Sequence, residues 1–266
     1  MKTAEIELYG LVGDDFMEEG FTADNVSEAL ASAMADSPDR LNVYINSLGG
    51  YADVGVTIHS MLRRAAAKAR ASNPAFKVVA VVDGMAASAA SVIAMAGDEI
   101  VMMPGSQMMI HDAHTGVRGN AEGLRKAADV MEKASVAIAS LYAKRSKMSE
   151  EDVRVLMQDE TYFTAQEAVK ANMADSIWDE AKAAALKEEG AELKAPRADA
   201  KRMPAVKDKG GWAKFVASAS ITMVPWQEGK APAKAKAEKK SEESDYKDED
   251  FSEIMGELDS LKDAKI

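Results

Sequence analysis

Along the first 110 residues, apolar positions switch repeatedly between two patterns. Residues 6–12, 40–46 and 77–82 are short runs with no helical period, and the last is unbroken, as in a strand buried on both faces. Between these runs the spacing becomes helical. Val26, Ala29, Leu30 and Met34 follow the capping pattern Thr22-Ala-Asp-Asn25, and Val56, Ile58, Met61 and Leu62 mark a helix over 53–71 that Ser72-Asn-Pro74 ends. Two further strands are predicted over 99–103 and 107–110, parted by the turn Pro104-Gly105. Strand–helix alternation of this kind predicts an α/β layered fold with a mostly parallel sheet. Right-handed crossovers then set the turns after the strands along one edge.

The stretch from Phe76 to His111 is the richest. Asp83-Gly84 reads as a turn after the buried run, and the Ala- and Ser-rich residues 85–96 read as a helix with Gly97 at its C′ position. Ser88 then falls in the first helical turn, among unpaired N–H groups at the positive end of the dipole. A serine there is either a helix cap or a nucleophile. His111 follows the apolar residues Met108-Met-Ile110, so a second strand ending beside the first would bring it a base.

Beyond His111-Asp-Ala-His114 and a loop, helical spacing returns over 120–146 with Leu124, Ala128, Met131, Ala134, Ile138 and Tyr142. Ser149-Glu-Glu-Asp152 opens a shorter helix through Leu156. Residues 159–163 are extended, and the capping box Thr164-Ala-Gln-Glu167 precedes a helix over 168–171. Past residue 185, Lys, Glu, Ala and Pro dominate. We read 1–182 as a folded domain and 183–266 as a largely disordered tail. Apolar islands at 212–226 and 251–261 interrupt the tail, the second patterned as an acidic amphipathic helix: a docking peptide, or a solvated tail.

Composition narrows the chemistry. The chain has no cysteine, which excludes disulfides, zinc–thiolate sites and thiol catalysis. Its histidines, His59, His111 and His114, do not make a metal site, so neither metal nor cofactor is expected. A net charge of −11 counts against nonspecific nucleic-acid binding. The N-terminus lacks a signal peptide's apolar core and no window is long and apolar enough to span a bilayer, so no membrane partner is expected and a cytoplasmic location is. The methionines, many between 85 and 109, read as filling for core and subunit contacts.

Four pieces stand in register with one family: Tyr44-Ile-Asn-Ser-Leu-Gly-Gly50, Gly84-Met-Ala-Ala-Ser88, Met109-Ile-His111-Asp112 and Thr161-Tyr-Phe-Thr-Ala-Gln-Glu-Ala168. Over about residues 6–180 the chain resembles the Clp-type serine proteases, the ClpP family, and most resembles the ClpP-like head-maturation proteases of tailed phages and prophages. The resemblance implies the ClpP/crotonase-like layered fold, Ser88 as nucleophile and His111 as general base. By position the triad acid falls on Glu160, where the family usually has an aspartate one methylene shorter; Asp159 beside it is the alternative. Asp112 is disfavoured because neighbours on a strand point to opposite faces. Backbone N–H groups of Gly50 and Ala89 would form the oxyanion hole. Neither His59 nor His114 matches a family site.

The same resemblance implies a homo-oligomer, rings of seven subunits stacked face to face around a chamber, with 120–146 as the inter-ring helix. Family members carry a segment before the first strand that engages an ATP-driven unfoldase. This sequence enters its first strand almost at once, which counts against unfoldase docking. The expected function is therefore a serine endopeptidase, like the proteolytic subunit of ATP-dependent Clp protease. It would act on peptide and protein substrates and process capsid or scaffold proteins in the bacterial cytoplasm or the phage prohead. Two readings compete: an idle assembly protein on the same fold, and a crotonase-like thioester enzyme that would not need Ser88. A Ser-Lys peptidase lacks a suitably placed lysine.

Overall fold

The computed structural model describes residues 1–14 and 20–179. The boundary at 182, the tail 183–266 and both of its apolar islands lie outside them. In order the elements are β1 (Thr3–Tyr9), β2 (Leu11–Val12), β3 (Gly20–Phe21), α1 (Ala23–Met34), β4 (Arg40–Ser47), α2 (Ala52–Arg70), β5 (Lys77–Ala87), α3 (Ala89–Ala94), β6 (Glu99–Met102), β7 (Gln107–Ile110), α4 (Ala121–Ser146), α5 (Glu150–Gln158), β8 (Thr161–Thr164), α6 (Ala165–Lys170) and β9 (Ser176–Ile177).

The main sheet runs β1-β4-β5-β6-β9, with β7 also on β5 and β8 on β7. Every pairing in it is parallel except β7–β8. The run 77–82 lies at its centre, as its unbroken apolar character requires. Val78, Ala80 and Val82 face the main core, while Val79 and Val81 meet Val101 on the other face, flanked by Tyr44, Met103 and Trp178. The capping patterns fold as written. Thr22–Asn25 and Thr164–Glu167 form reciprocal boxes, and the Asn120 and Ser149 side chains accept from Gly123 N and Asp152 N. Because Thr164 is itself the cap, α6 begins at Ala165 rather than at 168.

The structure corrects the reading of 83–97. Asp83-Gly84 is not a turn: β5 continues to Ala87 and changes partners on the way. Its first part pairs with β6 through Val79–Val82, and its last part with β7 through Met85–Ala87. A register shift against β4 between Ile45 and Ser47 absorbs the change, and Asn46 Oδ1 takes the Met85 N–H at 3.2 Å. Ala86 and Ala87 thus have ladder partners at hand, which overrides the helix preference of alanine. Only six residues are left for α3, which ends on Met95 in right-handed conformation. Gly97 is not a left-handed cap. It is a point of close approach, where a Cβ would lie 2.7 Å from Glu99 O and 3.1 Å from Ala80 Cβ. The strand predicted over 6–12 also divides, at Gly10 (φ 98°). Among the described residues no helix is long and apolar enough to cross a membrane.

Candidate active site

Ser88 occupies the joint between β5 and α3, with φ 53° and ψ −125°. That is left-handed territory for a residue with a side chain, a strain of about 1–3 kcal/mol that the surroundings must hold. They do so at both ends of the residue. Its N–H donates to Met109 O (2.9 Å), and its carbonyl accepts from Ser91 N (3.0 Å), Val92 N (3.3 Å) and Ser91 Oγ (2.6 Å). Ser88 therefore precedes the first helical turn, and its hydroxyl makes no capping bond. The hydroxyl is turned instead to His111, with Oγ and Nε2 2.7 Å apart.

That contact follows from the ladders. Ala87 pairs with Met109 in parallel, so the residues after each strand, Ser88 and His111, emerge together. On the other side of β7, Ile110 pairs antiparallel with Thr161, which sets His111 across from Glu160. The imidazole is half-buried, and that burial is the main cause holding its pKa below the ordinary histidine value. The adjacent His114 pushes the same way, and the Glu160 carboxylate pushes back. The ring is thereby kept in the neutral form that can accept a proton.

Of the two acid candidates, Glu160 is the one whose charge acts on the imidazole. It stands at φ 51°, and among the described residues no hydrogen bond joins it to the ring. Asp159 is the C-cap of α5, with its N–H on Met157 O and Val155 O. Asp112 is directed elsewhere, into an ion pair with Arg154 (2.8 Å) that also holds Glu132 (2.8 Å).

The glycine turn completes the site. Val12 N donates to Gly49 O and Tyr51 N donates to Val12 O, both at 2.8 Å, making a parallel bridge between Val12 and Gly50. In such a bridge the middle residue's own N–H points away from its partner, so the Gly50 N–H is left to the other side. Gly49, at φ 100°, lies against the serine joint: a Cβ there would be 2.6 Å from Ser88 Cβ, 2.8 Å from Ala87 O and 3.2 Å from Ala89 N. Ala89 N heads α3, where no intrahelical acceptor exists. The glycine turn thus packs directly on the joint that carries the hydroxyl.

His59 lies on α2, its pKa lowered by burial and then by Arg63 and Lys144. Among the described residues no group of three or more His, Asp or Glu side chains could hold a metal ion. Sequence reasoning missed His114, whose ring stands 4.9 Å from that of His111 at a tilt of 58°. The only signal was two histidines three residues apart, in a loop with no period to say whether they meet.

The Clp protease family profile matches residues 7–181. Among curated proteins, the chain is 27% identical over 165 residues to the ATP-dependent Clp protease proteolytic subunit of Deinococcus radiodurans, covering 61% of this chain and 76% of that one. The protein of the same name from Ligilactobacillus salivarius is 29% identical over 168 residues, covering 60% and 81%. Among solved structures, a mutant ClpP1 from Listeria monocytogenes superposes with a TM-score of 0.54 at 22% identity, over 66% of this chain and 91% of that one, a likeness of fold.

Proposed function

The chain belongs to the Clp protease family of serine peptidases, and from that premise we propose that Ser88, His111 and Glu160 carry its peptide-bond hydrolysis, with the Gly50 and Ala89 N–H groups as oxyanion hole. The observation that carries the reading is the 2.7 Å contact between Ser88 Oγ and His111 Nε2 at a strained strand–helix joint.

The chemistry follows from the positions. Nε2 accepts the hydroxyl proton as Oγ attacks the scissile carbonyl, so the neutral ring carries its proton on Nδ1. The carboxylate of Glu160 stabilises the imidazolium that forms, acting across the ladder through its charge. Negative charge on the carbonyl oxygen meets the two backbone donors, each worth about 3 kcal/mol in enzymes of this type. His111 then protonates the leaving amine, and water repeats the sequence in reverse on the acyl-enzyme.

We propose further that the chain works as a ring-forming homo-oligomer. The first half of α4, through Lys133, is exposed or at most half-covered, and Leu124 and Val130 stand open on it; a second copy is the natural cover. Capsid or scaffold proteins of a phage head, met in the bacterial cytoplasm or the prohead, are the proposed substrates, a reading that rests on the motif resemblance to head-maturation proteases. An idle scaffold or a thioester enzyme would leave the Ser88–His111 contact without a use.

A fluorophosphonate probe applied to the full chain tests this. Labelling is expected at Ser88 alone, and Ser88→Ala is expected to abolish it and to cut peptidase activity by roughly 10³-fold or more. Mass spectrometry of the wild-type chain beside Ser88→Ala would also reveal any self-cleavage sites. A folded, assembled chain that takes no label would overturn the peptidase reading.

A further inference from the structure

We propose, resting on the peptidase reading above, that Ser91 and Tyr142 are positioning residues for the oxyanion donor, a buried hydroxyl relay that fixes and polarises the peptide unit joining Ser88 to Ala89. Ser91 lies within α3 and Tyr142 on α4, 51 residues away, and both are fully buried. Ser91 Oγ is 2.6 Å from Ser88 O and 2.8 Å from the Tyr142 hydroxyl.

The direction of the relay is fixed by counting protons. A carbonyl oxygen can only accept, so the single Ser91 proton goes to Ser88 O. The Tyr142 hydroxyl, kept protonated by its burial, must then donate to Ser91 Oγ. The chain of donors runs Tyr142 to Ser91 to the Ser88 carbonyl.

The same peptide unit carries the Ala89 N–H. A trans peptide is planar, with C=O and N–H pointing in opposite directions, so whatever aims the Ser88 carbonyl inward aims the Ala89 N–H outward, to the site. Density drawn from the carbonyl oxygen makes that N–H a stronger donor, and hydrogen bonds in series reinforce one another. The need is local. Ser88 is held against its conformational preference, and α3 is only six residues long. Of the three donors on the carbonyl, the Ser91 hydroxyl is the closest.

The competing account is that Ser91 merely satisfies a buried phenol and its own helix, as serines often do. Kinetics separates the two. The time course of fluorophosphonate labelling of the full chain gives a binding constant KI and a rate constant kinact, and the phosphoryl oxygen occupies the oxyanion hole as the bond forms. Tyr142→Phe should lower kinact about 3- to 10-fold and Ser91→Ala about 10- to 100-fold, with KI within about twofold. These losses fall short of deleting a donor outright, because the relay tunes one. Adding Tyr142→Phe to Ser91→Ala should cost nothing more, since the tyrosine acts only through the serine. Ser91→Thr, which keeps the hydroxyl, should restore most of the rate.

Wild-type kinact in a folded Tyr142→Phe or Ser91→Ala chain overturns the relay, as do losses that multiply in the double variant or that appear only in KI. If Ser91→Ala does not fold, Tyr142→Phe, which removes one oxygen, decides alone. A wild-type chain that takes no label overturns the peptidase reading, and the relay with it. Labelled wild type beside unaffected variants overturns the relay only.

Discussion

At the scale of single residues, the site is governed by what surrounds one imidazole. Burial and His114 disfavour the protonated ring, and Glu160 favours it. Since the base must be neutral, the ascending limb of the kcat/KM profile should have its midpoint below the ordinary histidine value of about 6.5. The two neighbours should move that limb in opposite directions. Without the His114 ring, His114→Ala makes the imidazolium easier to form, so the pKa rises and the limb shifts to higher pH. Without the carboxylate charge, Glu160→Gln makes it harder to form, and the limb shifts to lower pH. The same variant should also lower kcat by roughly tenfold or more. That is less than the ~10⁴-fold recorded where a triad carboxylate bonds the ring directly, because here no hydrogen bond joins the two. Initial rates between pH 5 and 9 check all three; limbs that move together would refute the assignment of neighbours. His111 was legible at the end of an apolar run that must be a strand, and Ser88 as a serine at a passage from strand to helix, though the passage lies at Ala87 and not at Asp83-Gly84. Nothing in the sequence brought His114 to the ring, since loop residues carry no face.

Elements place these groups, and the decisive one is β5. Its unbroken apolar run betrayed a strand buried on both sides. Its true length was hidden, because alanines at 86 and 87 suit a helix unless ladders exist to receive them. Those ladders, β4 and β7, come from distant sequence. The register of β8 on β7 was equally hidden, and it is what sets Glu160, rather than Asp159, across from the base. The Gly49-Gly50 turn belongs at this scale too, because it packs one element's connection against the start of another. Gly49→Ala would force a side chain into left-handed backbone and drive its Cβ to 2.6 Å from Ser88 Cβ. We expect destabilisation of about 1–3 kcal/mol, lowering Tm by roughly 2–4 °C per kcal/mol, with kcat/KM falling about 10²-fold from misplacement of the serine. Thermal melts beside labelling rates measure both, and an unperturbed labelling rate would count against the packing described.

For the whole molecule, the telling feature is a helix half in and half out. From Ser135 onward α4 buries Ile138, Ala139, Tyr142 and Ala143, whereas Val130 on its first half is 57% exposed. A long helix is held by its packing rather than by propensity alone, so the open half calls for a partner. Val130→Asp should shift the species seen by sedimentation velocity to smaller sizes while leaving the monomer's circular dichroism unchanged. A wild-type chain that sediments only as a monomer would remove the case for rings.

The three proposed catalytic side chains also ride on consecutive rails of one frame: the serine after β5, the histidine after β7, the glutamate ahead of β8. Ser88 is moreover latched by its own amide to Met109 on the neighbouring rail. Nucleophile and base are thus two jaws of a single calliper, with no hinge between them. Shifts of helices elsewhere reach that gap only through these rails or through rotation of the two side chains.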